Sequence, residues 1–293
     1  MSDSSESPRE QPRHFRPPSS GEVITALRTG NTYTIGEPLG EGAFGMVFSC
    51  VDTWGSDLAV KVLKPLGSYE DVRQAAIGEI SRLETLRHPN ITYVHDAFEY
   101  QDTFYIVTER CESPLTALLE LPDMDPGTWL LPVARCLLQA VHYLHINHFA
   151  HQDIHPGNVF AAFPRNELTS TRDASGVTFK LGDLGVSVML SELRASNLRA
   201  AWMLPPEVLS EDEFGPVDHR VDIYHSALVL LQIALRGPRH FSGAEILSGL
   251  PRQIALDLPS PWNFALEKAL RRHAPYRTAS AMELWRDLRA LEP

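Results

Sequence analysis

The sequence predicts an α+β chain built as two lobes: a small antiparallel sheet with one helix, then a larger, mainly α-helical lobe. Three observations carry this. Short runs of alternating apolar and polar residues fill Tyr33 to about Val107. One amphipathic stretch interrupts them, with Val72, Ala76, Ile80 and Leu83 at spacings of three and four. From Pro114 onward, apolar stripes of helical period dominate.

The elements follow in order. Residues 1–20 hold six Ser and four Pro and almost nothing to bury, so residues 1–30 are expected to form a disordered Ser/Pro-rich tail. The folded domain is then 31–293, divided into an N-lobe of 31–110 and a C-lobe of 111–293. Strands are expected at Tyr33–Leu39, Met46–Val51, Leu58–Leu63, Ile91–Phe98 and Thr103–Val107, with turns at Asp52–Asp57 and Tyr100–Asp102. Leu130, Ala134, Leu137, Leu138, Val141 and Leu144 form a helical stripe, with Pro132 expected in its first turn. Val159 to Leu181 reads as a hairpin with a long polar tip. Helices are expected from about Val221 to Leu235 and from Ala279 to Leu291.

The balance of 26 basic and 37 acidic residues gives 26 − 37 = −11, which argues against nucleic acid or an anionic membrane as the partner. Three cysteines, Cys50, Cys111 and Cys136, are too few and too scattered for a disulfide framework. The N-terminus has no apolar core of a signal peptide, and the apolar stretch Ala227–Leu235 is too short to span a bilayer. A cytoplasmic protein without membrane insertion is expected. The oligomeric state is not legible here.

Leu39-Gly-Glu-Gly-Ala-Phe-Gly-Met-Val47 contains a GxGxxG pattern. Alone it is weak, and a ligand-free hairpin is one reading of it. A dinucleotide site needs a following helix and an acid about 20 residues on. Here a strand follows, and residues 58–69 hold no Asp or Glu. A glycine turn between strands can instead lay backbone N–H groups over phosphates. In Leu58-Ala-Val-Lys61, alternation puts Ala59 and Lys61 on one face. Glu79 shares the stripe of Val72, Ala76 and Leu83. Two inward charges are expensive unless paired, so Lys61 and Glu79 are expected to meet. Alternatively, each reaches solvent on its own.

Two further motifs are His151-Gln-Asp-Ile-His-Pro-Gly-Asn158 and Gly182-Asp-Leu-Gly185. With them the sequence resembles the protein kinase family across about residues 33–290. The matches run in order: the glycine motif, LAVK, Glu79 before HPNI, YLH at Tyr143–His145, HQDIHPGN, DLG, PPE at Pro205–Glu207, VDIY at Val221–Tyr224 and Arg277 in HAPYRTA. The resemblance implies the bilobal kinase fold, ATP and Mg²⁺. It places Leu39, Gly40, Gly42, Gly45, Val47, Ala59, Lys61, Glu109 and Cys111 at the nucleotide, with Thr108 as gatekeeper. Lys61 would hold the α- and β-phosphates, Glu79 would orient Lys61, and Asp153 would accept the proton of the attacking hydroxyl. Asn158 and Asp183 would bind Mg²⁺. Glu207 would pair with Arg277, and Asp222 would tie down the catalytic-loop backbone. The pattern of Asp153, Pro156 and Asn158 resembles the Ser/Thr branch, so the expected function is ATP- and Mg²⁺-dependent transfer to a protein Ser or Thr hydroxyl.

The sequence departs from the family pattern in several places. Gln152 replaces the arginine that reads an activation-segment phosphate, making the loop non-RD. Ala200 stands where a threonine usually contacts the catalytic loop. The tip of the 159–181 hairpin is longer than usual and is expected to be a surface insertion. His155 stands where Ser/Thr kinases carry lysine, as in kinases of the aminoglycoside and choline type. A small-molecule kinase, or a pseudokinase that binds nucleotide without transfer, is therefore the alternative reading. Opposite charge from Asp153 and from ATP is expected to raise the pKa of His155, so that an imidazolium does the work of lysine. The run of histidines from His142 to His155 reads as packing and loop residues rather than a metal site.

Overall fold

The computed structural model describes residues 16–42, 45–64, 68–163, 165–166, 171–172, 176–184, 187–195 and 202–290. Two compact units make up the chain: residues up to Ile80 with Val94–Arg110, and Ser81–Tyr93 with the residues from Cys111 onward.

The first unit is built on β1 (Val23–Thr25), β2 (Thr32–Glu41), β3 (Gly45–Asp52), β4 (Asp57–Leu63), β5 (Val94–Tyr100) and β6 (Thr103–Glu109). They form one antiparallel sheet in the order β1-β2-β3-β4-β6-β5. Alternation decides the faces. Ile24, Tyr33, Ile35, Phe48, Cys50, Leu58, Val60, Val62, Phe98, Tyr105 and Val107 pack on one side. On the other, Leu63 and Phe104 meet Val72, Ala76 and Ile80 of α1 (Tyr69–Thr85). The register of β2 against β3 slips on both sides of Pro38, which has no N–H to give the ladder.

The sequence reading ended the tail at residue 30. Residues 1–15 lie outside the described residues, but residues 16–30 pack onto the sheet. Val23–Thr25 pairs with Thr32–Thr34, and Ile24 and Ala26 are buried. Two inward side chains are too short a pattern to be read by alternation. The turn that follows is fixed by Asp96, a buried carboxylate accepting from Tyr33 OH at 2.9 Å, Thr29 Oγ1 at 2.9 Å and Asn31 Nδ2 at 3.3 Å. A buried carboxylate with three donors is satisfied, and it closes β1–β2 over β5.

The second unit contains, in chain order, β7 (Ser113–Pro114), α2 (Leu115–Leu119), α3 (Pro126–Ile146), β8 (Phe149–Ala150), β9 (Val159–Ala162), β10 (Arg165–Asn166), β11 (Thr171–Arg172), β12 (Thr178–Leu181) and β13 (Val188–Met189). Then come α4 (Pro206–Leu209), α5 (Glu211–Phe214), α6 (Arg220–Ala234), α7 (Gly243–Ser248), α8 (Leu250–Leu256), α9 (Trp262–Ala269) and α10 (Ala281–Leu288). The stripe of α3 is buried throughout. Its start is earlier than expected: Asp125 caps it by accepting from Gly127 N and Thr128 N, so Pro132 sits inside the helix. That costs the bond Pro132 would have donated one turn back. Every residue of α6 from Val221 to Ile233 is buried, the pattern of a helix at the centre of a core. The expected hairpin forms as β9 against β12, from Val159↔Leu181 to Ala162↔Thr178, and β10 pairs with β11 in its tip.

The segment His88-Pro89-Asn90-Ile91 was expected to lead directly into a strand. The strand begins only at Val94. Asn90 and Ile91 belong instead to the second unit, where Asn90 Nδ2 donates to Phe179 O at 2.9 Å and Leu181 N donates to Asn90 O at 2.8 Å. Thr178–Leu181 offers backbone partners that pattern reading within the segment cannot see.

Glu207 and Arg277 are wholly buried and face each other as a fork, with Arg277 Nη1 at 2.6 Å from Oε1 and Nη2 at 2.7 Å from Oε2. Arg277 also donates to the carbonyls of Arg220, Arg271 and Arg272 and lies over the Tyr224 ring. Removing one partner strands a buried charge. Arg277→Ala is expected to lower unfolding free energy by about 3–5 kcal/mol, and Arg277→Lys to restore only part, since an ammonium cannot form the fork. Chemical denaturation measures both; an Arg277→Ala midpoint equal to wild type would contradict the pair.

Candidate active site

The residues singled out from the sequence fall on two surfaces, one in each unit. In the first unit they lie on β2, β3 and β4. Val47 pairs with Lys61 and Ser49 with Ala59. Leu58, Val60 and Val62 take the core face, leaving Ala59 and Lys61 together on the other, as alternation required. Thr108 pairs with Ala59, and Glu109 with Leu58. Glu79 is a residue of α1 whose side chain lies outside the described residues, and with it the expected pairing to Lys61.

The glycine turn joins Glu41 to Gly45; Ala43 and Phe44 lie outside the described residues. Gly42 N donates to Gly45 O at 2.9 Å. At Gly45 glycine is compulsory, because a Cβ would meet Val62 O at 2.8 Å. At Gly40 and Gly42 a Cβ would meet no described atom within 4 Å. Glycine there leaves open space above the backbone, which is the room a phosphate chain needs. Lys64, which the sequence reading missed, pins the turn: its Nζ donates to Gly42 O at 2.8 Å and pairs with Glu41 Oε1 at 2.7 Å.

In the second unit the loop His151–Asn158 runs between β8 and β9. Its anchor is Asp222 of α6, which has no exposed surface. One carboxylate oxygen accepts from Gln152 N at 2.8 Å; the other accepts from His151 N at 2.8 Å and faces His145 Nε2 at 2.9 Å. Burial alone would raise this carboxyl. The bond and charge of His145 and the loop amides outweigh it and hold Asp222 below the ordinary carboxylate range. The anchor lets Gln152 keep a left-handed backbone, with φ of 71°.

His151 links this loop to the next motif. Asp153 N donates to its Nδ1 at 3.2 Å, which leaves the proton on Nε2 for Gly182 O at 3.0 Å. Gly182 N in turn donates to Asn158 O at 2.8 Å. At Gly182 a Cβ would strike the Phe160 ring at 2.7 Å, so the close approach requires glycine. Asp183 follows, exposed and with φ of 57°. Asn158 Nδ2 donates to Asp153 O at 2.9 Å and approaches Asp153 Oδ2 at 3.5 Å. The structure therefore brings Asp153, His155, Asn158 and the Gly182–Asp183 segment together. Asn158 spends its amide hydrogens on Asp153 and keeps Oδ1 as an acceptor. An amide oxygen and the Asp183 carboxylate are hard donors of the kind Mg²⁺ takes. Among the described residues no group of three or more His, Cys, Asp or Glu side chains is placed to hold a metal, so an ion here would draw its other ligands from phosphate and water.

His155 lies beside Asp153, and the ring has a second partner in the loop backbone. Its Nδ1 accepts from Gly157 N at 3.1 Å, and its Nε2 lies 3.7 Å from Asp153 Oδ2. Burial pushes its pKa down, against the pull of Asp153 and Asp183. The ring is neutral with its proton on Nε2. Sequence reasoning weighed the neighbouring charges and could not weigh the desolvation, nor the backbone N–H that occupies Nδ1.

A family model described as the protein kinase domain matches residues 33–264, more than half of the chain. The chain belongs to the protein kinase family. It is 27% identical over 218 residues to serine/threonine-protein kinase 36 of Pongo abelii, covering 72% of this chain and 15% of that protein. It is 28% identical over 207 residues to serine/threonine-protein kinase TAO2 of Rattus norvegicus, covering 70% of this chain and 16% of the relative. Human cyclin-dependent kinase-like 5 is 29% identical over 223 residues, covering 74% of this chain and 21% of that protein. The kinase domain here thus matches only a minor part of these longer relatives. Among the described residues no helix is long and apolar enough to cross a membrane.

Asp222 gives this kinase a testable acid dependence. Its folded pKa lies below the unfolded value of about 3.9, so its contribution is complete above about pH 4 and is lost as pH falls through the folded value. Asp222→Asn should cost about 1.5–3 kcal/mol at neutral pH, the scale of hydrogen bonds to a charged group. Thermal melts of both proteins against pH should converge in acid. Parallel curves would contradict the anchor.

Proposed function

We propose that this kinase transfers the γ-phosphate of ATP, with Mg²⁺, to a Ser or Thr hydroxyl of a protein. The observation that carries the reading is the second-unit cluster: Asp153 held by Asn158 and by His151, with Gly182–Asp183 bonded to the same loop. The Ser/Thr kinase names of its relatives support a protein acceptor.

On this reading each side chain has a task. Asp153 takes the proton of the attacking hydroxyl, and its partners keep the carboxylate from rotating away. Lys61 holds the α- and β-phosphates and Glu79 orients it, while the backbone of Gly40, Gly42 and Gly45 covers the phosphates. Leu39, Val47 and Ala59 enclose the adenine, with backbone bonds at Glu109 and Cys111. Asn158 and Asp183 hold Mg²⁺, which when bound supplies neutralisation of phosphate charge. His155 supplies a neutral N–H donor beside Asp153. Gln152 is neutral and cannot form the charge-assisted pair by which a phosphate orders an activation segment, so this kinase does not depend on that device. With β1 counted in, the domain begins before residue 31. The cysteines Cys50, Cys111 and Cys136, which form no disulfide, fit a reducing cytoplasm.

The test is purified full chain with labelled ATP, Mg²⁺ and a mixed pool of proteins and metabolites. Label in protein is expected. Label in metabolite alone would replace the reading with a small-molecule kinase, and label in neither with a nucleotide-binding scaffold. Lys61→Met and Asp153→Asn should each lower transfer by about 10²-fold or more while melting like wild type. Asp183→Asn should remove the Mg²⁺ dependence of nucleotide binding. Wild-type affinity indifferent to Mg²⁺ would contradict the metal assignment.

A further inference from the structure

The loop from His151 to Asn158 is held by buried groups of α6. Asp222 secures only the start of the loop, through the amides of His151 and Gln152. The other end, at His155, rests on something else. The indole of Trp202 lies with its centroid 5.8 Å from the His155 ring, tilted by 43°. Trp202 lies equally 5.8 Å from the ring of His225, tilted by 59°. The three rings form a column whose top faces Asp153, since His155 Nε2 is 3.7 Å from Asp153 Oδ2.

The base of the column is unusual. His225 has no exposed surface, and neither ring nitrogen has a hydrogen-bond partner among the described residues. Burial holds it neutral, with a pKa pushed down to about 4. A polar ring buried without a bond is costly. Here it offers its ring to Trp202 as packing surface. His225 lies three residues after Asp222 on α6, so both side chains leave the helix on one face. One helix, buried from Val221 to Ile233, therefore grips the loop twice: by carboxylate at His151–Gln152, and by tilted ring contacts at His155.

We propose that Trp202 is a positioning residue for phosphotransfer, fixing the His155 ring from α6 so that its Nε2 faces Asp153. The role rests on the reading of Asp153 as the group that takes the acceptor proton. Trp202 acts through His155 and not on a reacting atom. An aromatic column suits this task, because flat rings with few torsions hold orientation at low entropic cost.

The test has two arms on the full chain. In the first, protein carrying ¹³C-labelled histidine and tryptophan should give a nuclear Overhauser cross-peak between the Trp202 and His155 rings, assigned by its loss in His155→Gln. In the second, kcat and KM are measured with labelled ATP, Mg²⁺ and casein as acceptor. Trp202→Leu should lower kcat about tenfold with KM for ATP within about twofold, as expected for misplacement of the reacting groups. Trp202→Phe should recover most of the loss. In a His155→Gln background, Trp202→Leu should cost nothing further. An equal loss in both backgrounds, or none in the first, would overturn the proposal, as would an absent cross-peak in folded wild type should Trp202→Leu prove unstable. Wild type that shows the cross-peak but labels no protein would sink the transfer reading, and the positioning role with it, while leaving the contact standing.

Discussion

Asp222 is a carboxylate with no exposed surface, and the conformation of the catalytic loop depends on it. An unpaired charge there would be prohibitive. It is stable only because His145 from α3 and two consecutive loop amides converge on it. The dependence runs both ways. Without Asp222 the amides of His151 and Gln152 would be buried donors with no acceptor, and Gln152 would have no reason to hold a left-handed backbone. With it, His151 is placed to bond Gly182, and Asp153, Asn158 and Asp183 take their positions from that bond. The rigidity of α6, buried from Val221 to Ile233, thereby becomes the rigidity of the site.

Much of this was legible in the sequence, and for identifiable reasons. Alternation in β4 placed Ala59 and Lys61 on one face because the strand is regular and its other face is core. The stripe of α3 and the apolar run Ala227–Leu231 of α6 reported burial directly. The resemblance to the kinase family assigned Asp222, Glu207 and Arg277 before any contact was visible. Where reading failed, the deciding partner was distant in sequence or the pattern too short. Val23–Thr25 is a strand because β2 and Asp96 capture it, not by its own composition. The start of α3 is set by the Asp125 cap, ahead of the apolar stripe. Ile91 is not in its expected strand because it follows Asn90, whose side chain bonds the carbonyl of Phe179. The column of His155, Trp202 and His225 has no sequence signal at all: its rings are separated by 47 and 23 positions and meet only through the fold.

At His155 burial opposes the pull of neighbouring charge. From the sequence, a histidine two residues from an aspartate and near phosphates should hold its proton. In the fold, desolvation opposes this, and Gly157 N–H occupies the nitrogen that would have to be protonated. A neutral histidine is then an oriented single donor rather than a point charge. Lysine reaches its target by flexibility; this imidazole must be aimed, which is why a supporting contact matters more here than it would for lysine.

The substitution also moves a burden. From His151 to Asn158 the loop carries one formal charge, the negative Asp153, and Asp183 adds another next to it. A lysine in the loop would offset part of this field when a polyphosphate approaches; neutral His155 offsets none. On the phosphotransfer reading the compensation falls to Mg²⁺ on this side of the site, held by Asn158 and Asp183. Mg²⁺ held there by Asn158 and Asp183 would supply the neutralisation of phosphate charge that the loop itself lacks. A loop that gives up its own cation gains an acceptor-side surface without fixed positive charge. Its order comes from buried bonds to α6, which salt screens little.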